Sequence, residues 1–501
     1  MFVQNKKIQD ILNYYREISY LQKINSVLDY DLNVSMPPKG SESRASHAAY
    51  IEELIVNKWK NPKFKEMIED VQTLELNEFE KAIVRNIERQ GKMYWRVPEQ
   101  IIINLKKETS IAFVKWSEAK SKSDFSIFSD SLERIINLLI EIADHIGYKA
   151  NRYDALLDQY EPDLNFEMFN NIAQKLRTFL SDFVSEIVNS KNYSDVNSGF
   201  DTEVYYDFQD QKRLSEFVAY KLGYDFESGR LDVSAHPFTS NLHRTDVRIT
   251  TRYDLRDFRE SLTSTIHEVG HALYEQGINP EFDDTPLEGG VSLGIHESQS
   301  RFYENQIGRS KFFIKYIRYL LNLLFNNVRN QSDEQLYRFF NQVRPSFIRT
   351  EADEVTYNLH IILRFEIEEL LINKKIKVKD LPEIWNDKMH GLLGIRPKND
   401  REGVLQDVHW SYGYIGYFPT YSLGNLYSAQ IANKMKKELD IEYLISRGEF
   451  IEILNWLRKN IHIHGSLYYP NELIDRVTGE DLNPDYFIKY IQEKYSDIYQ
   501  I

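Results

Sequence analysis

Ser264–Gly277 reads STIHEVGHALYEQG. His267 and His271 stand four residues apart, and Glu268 follows the first of them. The apolar spacing predicts a helix that starts at Asp254, a residue type suited to capping an N-terminus, and stops at Gly277. Positions four apart on a helix lie one above the other. Two imidazoles can therefore reach one metal ion, while Glu268 reaches a water rather than the ion itself. A carboxylate placed there can take the water's proton, which is the mechanical content of HExxH.

A catalytic site of this kind needs a third protein ligand and one open position. The extended HExxHxxGxxH pattern is absent, because Tyr274 stands where its glycine would be and Gly277 where its third histidine would be. An acidic ligand from a following helix is the alternative. Gly294–Gly308, GIHESQSRFYENQIG, supplies Glu297, with neighbouring His296 as the competitor. Glu304 lies two turns further on a similar face and is a candidate to orient a ligand imidazole. The donor set calls for one divalent ion, zinc first and cobalt as the alternative, since both accept two histidines and a glutamate.

Outward from this stretch, helical periodicity dominates. Ile8–Leu28, Phe128–Tyr148 and Asp380–Ile395 all space apolar residues at three and four. Glycine and proline number only 21 and 14 in 501 residues, so long helices with short connections are expected. The blandest loop is Ser190–Phe200, and no convincing interdomain linker appears, so residues 1–501 read as a single catalytic domain. The main exception is His236–Tyr253. Arg244–Asp254, RTDVRITTRYD, alternates and is rich in Thr, Val and Ile, which predicts a strand; Ser234–Arg244 reads as a neighbouring strand or loop. Gly289–Ile295, GGVSLGI, is a second candidate extended piece. The expected fold is mainly α, with a small β-sheet beside the HEVGH helix.

Composition limits the partners. A net charge of -14 argues against nucleic acid and against an anionic membrane surface. There is no cysteine, so no thiolate can bind metal or act as nucleophile, and the absence fits a reducing cytoplasm. The N-terminal stretch lacks the apolar run of a signal peptide, and Tyr316–Phe325 is too short to span a bilayer.

Taken together, these residues resemble the thermostable, Taq-type family of metallocarboxypeptidases. The resemblance rests on HEVGH and HESQS, on HPF at His236–Phe238, and on DVRIT at Asp246–Thr250. It also rests on IRTEAD at Ile348–Asp353, on GVLQDVHW at Gly403–Trp410, and on YDLNVSMPP from Tyr30, where the family usually has Trp. It implies one elongated helical zinc-peptidase fold with a deep groove, similar to neurolysin and angiotensin-converting enzyme, and homodimers. It implies His267, His271 and Glu297 as metal ligands and Glu268 as general base. IRTEAD and GVLQDVHW are implied to form the blocked end of the groove.

Removal of one C-terminal residue needs a cation for the free carboxylate, preferably the planar fork of arginine. Arg349 is the leading candidate, although Asp353, four residues on, offers it an ordinary helical ion pair. Arg248 and Arg344 are weaker candidates. The oxyanion of the tetrahedral intermediate needs a hydrogen-bond donor. His409 and Tyr417 are proposed by similarity to related zinc peptidases, with Tyr412 and Tyr421 competing. His236 and Arg248 are expected to line the groove as substrate-binding residues. The DVRIT strand edge is a candidate to pair with the substrate backbone. The expected activity is release of single amino acids from peptides with a free C-terminal carboxylate. The rival readings are an oligopeptidase cutting internal bonds and a non-enzymatic peptide-binding protein.

Overall fold

The structure, a computed structural model, describes residues 2–198 and 204–501. It is helical almost throughout, with one three-stranded sheet. The three periodic stretches fall in the helices Lys6–Val34, Ser126–Ile146 and Leu381–Leu393. The bland loop contains a short helix, Tyr193–Asn197, and its last two residues lie outside the described residues. No described helix is long and apolar enough to cross a membrane.

By its packing the chain divides into two compact units, each built from three separate stretches. The first comprises Met1–Trp95, Phe200–Phe340 and Tyr427–Leu482; the second comprises Arg96–Gly199, Asn341–Leu426 and Asn483–Ile501. No single stretch forms either unit alone, which accounts for the lack of a linker signal in the sequence.

The first unit holds the sheet. Strands β1 (Leu231–Val233), β2 (Thr239–His243) and β3 (Asp246–Thr251) are ordered β1-β3-β2. β1 runs parallel to β3 and β2 antiparallel to it, with a register shift between Asn241 and His243. DVRIT is therefore the central strand. Both its edges are already paired, so it has none to offer a peptide, contrary to the expectation above. Val247 and Ile249 are fully buried, as are Thr250 and Thr251.

The HEVGH helix runs Phe258–Gln276. Its cap is Asp257, not Asp254: the Asp257 side chain accepts from the Arg259 amide at 2.9 Å. Asp254 instead accepts from the Arg256 amide at 2.8 Å and forms an isolated bridge with Asp257. Gly277 does end the helix, in a right-handed conformation. Its need for glycine is space, since a Cβ there would come within 2.7 Å of the His462 ring. Phe258, Leu262, Ile266, Val269 and Leu273 are all buried on this helix, each contributing about 1.5–3 kcal/mol. Its side chains are buried nearly all round, as in a helix at the centre of a core. Thr251 Oγ1 meets Ser264 Oγ at 2.7 Å and so ties β3 to it.

GGVSLGI is not a strand. Ser292 Oγ accepts from the Ile295 amide at 3.0 Å and caps the helix Leu293–Arg301. A capping serine ahead of an apolar residue wins over the β-like composition.

In the second unit the helix Tyr357–Ile372 is the most deeply buried element, with Leu359, Ile361, Ile362, Leu363, Phe365 and Ile367 all inaccessible. His360, Arg364 and Glu368 are equally buried and lie four apart, one polar stripe on an apolar helix.

Candidate active site

Two glycines bring the metal-binding elements together. Gly270 is the glycine of HEVGH. A Cβ on it would lie 2.5 Å from the Gln299 carbonyl oxygen and 2.6 Å from Ser300 Cα. Any side chain here would push the Leu293–Arg301 helix away, and Glu297 with it. Gly308 approaches the Ile266 side chain in the same way, at 3.0 Å for a Cβ.

Glu297 Oε2 stands 3.6 Å from His267 Nε2 and 3.4 Å from His271 Nε2. Two ligands on a tetrahedral ion with bonds of about 2.0–2.1 Å are themselves about 3.3–3.4 Å apart. Both distances are close to the spacing that a bound ion would impose, and the three donor atoms all lie within 4.8 Å of one another. Glu297 Oε1 is taken by Arg301 Nε at 2.7 Å, which leaves Oε2 to face the histidines. Burial raises the Glu297 carboxyl, but Arg301 and His267 pull harder and hold it well below the ordinary carboxylate range.

The far nitrogens of both imidazoles are occupied. His267 Nδ1 meets Glu304 Oε2 at 2.9 Å. Glu304 lies in a π-helical stretch, Phe302–Gly308, and is itself held by Arg301 and Arg309. π-Helical turns re-aim side chains and recur at functional sites. His271 Nδ1 faces the His296 carbonyl at 3.1 Å and His296 Nδ1 at 2.6 Å, while His296 Nε2 meets Glu275 Oε1 at 2.8 Å. One assignment of protons satisfies all of these contacts. His296 Nε2 donates to Glu275, His271 Nδ1 donates to His296, and His267 Nδ1 donates to Glu304. Both Nε2 lone pairs are then left facing Glu297. His296 is thus behind His271, on its Nδ1 side, which leaves Glu297 as the candidate third donor.

Glu268 is buried, and Thr239 Oγ1 donates to its Oε2 at 2.6 Å. Burial pushes its carboxyl up from the ordinary value, against the opposing pull of His267 and the Thr239 bond. A carboxylate raised in this way is a better base near neutrality.

A second group of suitable side chains, His243, Asp283 and Glu288, also lies in the first unit. There Arg244 Nε donates to Asp283 at 2.9 Å and Lys23 Nζ to Glu288 at 3.0 Å. Both carboxylates already have cations, so this group reads as an ion-pair network. At Glu297, by contrast, Arg301 holds Oε1, while Oε2 accepts from Ser300 Oγ at 3.1 Å and faces the histidines.

The other expected residues of the first unit have plainer surroundings. Arg248 is paired with Asp246 through Nε and Nη2, both at 2.8 Å, and its guanidinium stacks over Tyr30, 5.0 Å from the ring centroid. The Tyr30 hydroxyl donates to Asp232. His236 is exposed, and its carbonyl accepts from Ser234 Oγ at 2.6 Å.

Arg349, His409 and Tyr417 belong to the second unit. Arg349 sits in a single 3-10 turn, Arg349–Glu351, so the helical pairing with Asp353 does not form. Asp353 instead accepts from the amides of Arg344, Val355 and Thr356. Arg349 Nε donates to Asp407 at 2.9 Å, its Nη1 to the Tyr357 hydroxyl at 3.0 Å, and its amide to Gln406 at 2.9 Å. These bonds join IRTEAD to GVLQDVHW. Arg364 donates to the other oxygen of Asp407, with Nε at 2.7 Å. Two buried guanidiniums therefore share one carboxylate. Burial raises the Asp407 carboxyl, but Arg349 and Arg364 overcome this and hold it far below its ordinary value.

His409 is driven down to about 3 by burial and then by the Arg349 charge, so it is neutral at pH 7. Its ring lies 5.5 Å from that of Tyr417, and its Nε2 is 3.3 Å from the Tyr421 hydroxyl. Tyr417 packs edge-on to Tyr160 at 5.2 Å. Tyr421, one of the competing tyrosines, lies under the Arg349 guanidinium at 4.9 Å, whereas Tyr412 stacks on Phe113. Arg344 reaches Asn197.

Sequence reading does not single out Thr239, Glu275, Asp407 or Glu368. Thr239 directly follows HPF, and Asp407 lies inside GVLQDVHW. The stripe His360, Arg364, Glu368 was visible as three polar residues at helical spacing in an apolar run, a pattern that costs several kcal/mol unless each group is satisfied.

Comparison with known proteins agrees with this geometry. The family model described as carboxypeptidase Taq (M32) metallopeptidase matches residues 10–495. The thermostable carboxypeptidase 1 of Pyrococcus furiosus is 44% identical over 499 residues, covering 98% of this chain and 99% of its own. Carboxypeptidase 1 of Bacillus subtilis is 40% identical, covering 99% and 98%. The solved structure of the Pyrococcus furiosus carboxypeptidase superposes with a TM-score of 0.96 at 44% identity, over 99% of this chain and 100% of that one. The chain belongs to the carboxypeptidase Taq (M32) metallopeptidase family and is a metallocarboxypeptidase.

Proposed function

We propose that this metallocarboxypeptidase is a zinc enzyme that releases single C-terminal amino acids from peptides of varied sequence, with Glu268 as general base. The observation that carries this reading is the convergence of His267 Nε2, His271 Nε2 and Glu297 Oε2 beside the buried carboxylate of Glu268. His267, His271 and Glu297 would hold the ion, and this donor set of two imidazoles and a carboxylate suits zinc or cobalt. When bound, the ion polarises the scissile carbonyl and acidifies the attacking water.

The chain's own groups do the rest. Glu268, aligned by Thr239, accepts the water's proton and later delivers it to the leaving amine. His409, kept neutral, still carries one ring N–H that can be donated to the developing oxyanion, and the Tyr417 hydroxyl is the second donor. Arg349 receives the C-terminal carboxylate. A guanidinium has five N–H groups, more than Asp407 and Tyr357 take up, and the positive charge left over by the Arg349–Asp407–Arg364 cluster favours an anion. His236 and Arg248 contribute to substrate binding rather than to chemistry. The family resemblance and the lack of cysteine further support a homodimer acting in the cytoplasm, testable by light scattering and by fractionation.

Mass spectrometry of products from a peptide panel, with zinc, with cobalt and with a chelator, tests the reading. Stepwise loss of C-terminal residues, abolished by the chelator and restored by zinc, is expected. Internal fragments would point to an oligopeptidase instead, and absence of turnover to a binding protein.

A further inference from the structure

Glu368 has no part in the reaction just described, yet it is one of the most completely buried carboxylates in the molecule. It sits on the Tyr357–Ile372 helix, one turn beyond Arg364. Three donors converge on it. Trp410 Nε1 reaches Oε1 at 2.8 Å, and the Gly416 amide and the Tyr153 hydroxyl reach Oε2 at 2.9 Å and 2.6 Å. Trp410 directly follows His409, and Gly416 directly precedes Tyr417. One carboxylate therefore grips both ends of the segment that separates the two proposed oxyanion donors.

Within the segment the Gly413 amide donates to the Trp410 carbonyl at 3.1 Å and the Tyr414 amide to the His409 carbonyl at 3.0 Å, so its turns close locally while Glu368 ties both ends to the buried helix. Gly413 and Gly416 both adopt positive φ, at 75° and 93°, and a Cβ on Gly416 would lie 2.9 Å from the Leu156 backbone. Tyr412 and Tyr414, between the anchors, are exposed. Burial pushes the Glu368 carboxyl up to about 7, against the three hydrogen bonds and Arg364. A group kept buried at that cost to its charge is held for its acceptor geometry.

We propose that Glu368 is a positioning residue, which sets the spacing of His409 and Tyr417 by binding Trp410 with one oxygen and Gly416 with the other. This rests on the reading of His409 and Tyr417 as oxyanion donors, and the test separates the two.

Glu368→Gln is nearly isosteric but cannot serve both anchors. Its amide has one acceptor oxygen, and its NH2 must face either the Trp410 N–H or the Gly416 N–H, donor against donor. One end of the segment is then released. Trp410→Phe releases the Trp410 end by removing the donor and guards against a Glu368→Gln protein that fails to fold. Tyr153→Phe leaves both anchors in place and serves as control. Hydrogen exchange over residues 410–417 is expected to speed up at least about tenfold in Glu368→Gln and Trp410→Phe, and not in Tyr153→Phe. kcat is expected to fall about 10-fold or more in Glu368→Gln, with bound zinc unchanged. Because Glu368 acts through Tyr417, adding Tyr417→Phe should cost Glu368→Gln little further activity; a merely structural role would give additive losses. Unchanged exchange over 410–417, or additive losses, overturns the positioning role. Faster exchange with full activity in Glu368→Gln, His409→Ala and Tyr417→Phe alike would keep the anchoring but overturn the donor reading on which the functional claim depends.

Discussion

The two units treat buried charge in opposite ways. In the first, Glu268, Glu275, Glu297 and Glu304 gather around His267, His271 and His296, and Arg301 and Arg309 pair with Glu297 and Glu304. The acids outnumber the two guanidiniums, an excess of negative charge that suits a bound cation. In the second, Arg349 and Arg364 share Asp407, and the nearby Glu368 is raised to about 7. That cluster leaves an anion to be supplied. Uncompensated buried charge is expensive, so each surplus points to what binds there. On the proposed reading, the first takes a metal ion and the second a carboxylate such as a peptide's C-terminus, so that cleavage chemistry and choice of bond are carried by different parts of the chain.

Several substitutions would break or sharpen this contrast. The largest effect is expected at Glu268. Glu268→Gln should lower kcat by about 10²–10⁴-fold while leaving metal content intact. Full activity in that variant would remove the base from the account. Next comes Glu304, whose bond to His267 Nδ1 fixes which nitrogen faces the metal. Glu304→Gln should weaken metal binding by roughly 10–100-fold, measured by competition with a chelator. Unchanged affinity would mean that His267 is oriented by packing alone.

Gly270→Ala tests how the metal unit is assembled. A Cβ 2.5 Å from the Gln299 carbonyl must shift the Glu297 helix, at about 1–3 kcal/mol, and should lower both the thermal midpoint and metal affinity. A wild-type melting curve would show that the contact is slack. The smallest effect is expected at Arg248, which is already paired with Asp246. Arg248→Ala should change stability by less than about 1 kcal/mol. A loss of kcat/KM greater than about tenfold would give it a direct role in holding substrate.

How much of this was legible in the sequence differs between the units for a physical reason. HEVGH is a local pattern, where helix periodicity alone puts His267 and His271 on one face, and Glu297 comes from the next helix, packed against Gly270. The mainly helical class and the β2–β3 hairpin follow from similarly short-range signals. Errors occurred where neighbours decide between close alternatives. Asp257 displaced Asp254 as cap by three residues, and Ser292 turned an extended-looking stretch into a helix. The second unit's cluster joins Arg349 to Asp407, 58 residues away, where sequence proximity suggested Asp353. No periodicity encodes such a contact. The His296 ring is a further case, since only the folded arrangement shows that it backs His271 instead of joining Glu297.

The division of labour is tested most directly by comparing a free-acid peptide with its C-terminal amide in the wild type and in Arg349→Ala. Truncating a buried charged hydrogen-bond partner costs about 2–5 kcal/mol, so loss of the carboxylate or of Arg349 should each lower kcat/KM by roughly 100-fold. The two losses should not add, because they remove the same contact, and bound metal should stay at one ion per chain. Equal rates on acid and amide in the wild type, or an Arg349→Ala variant that still prefers the free acid by the full margin, would contradict the account.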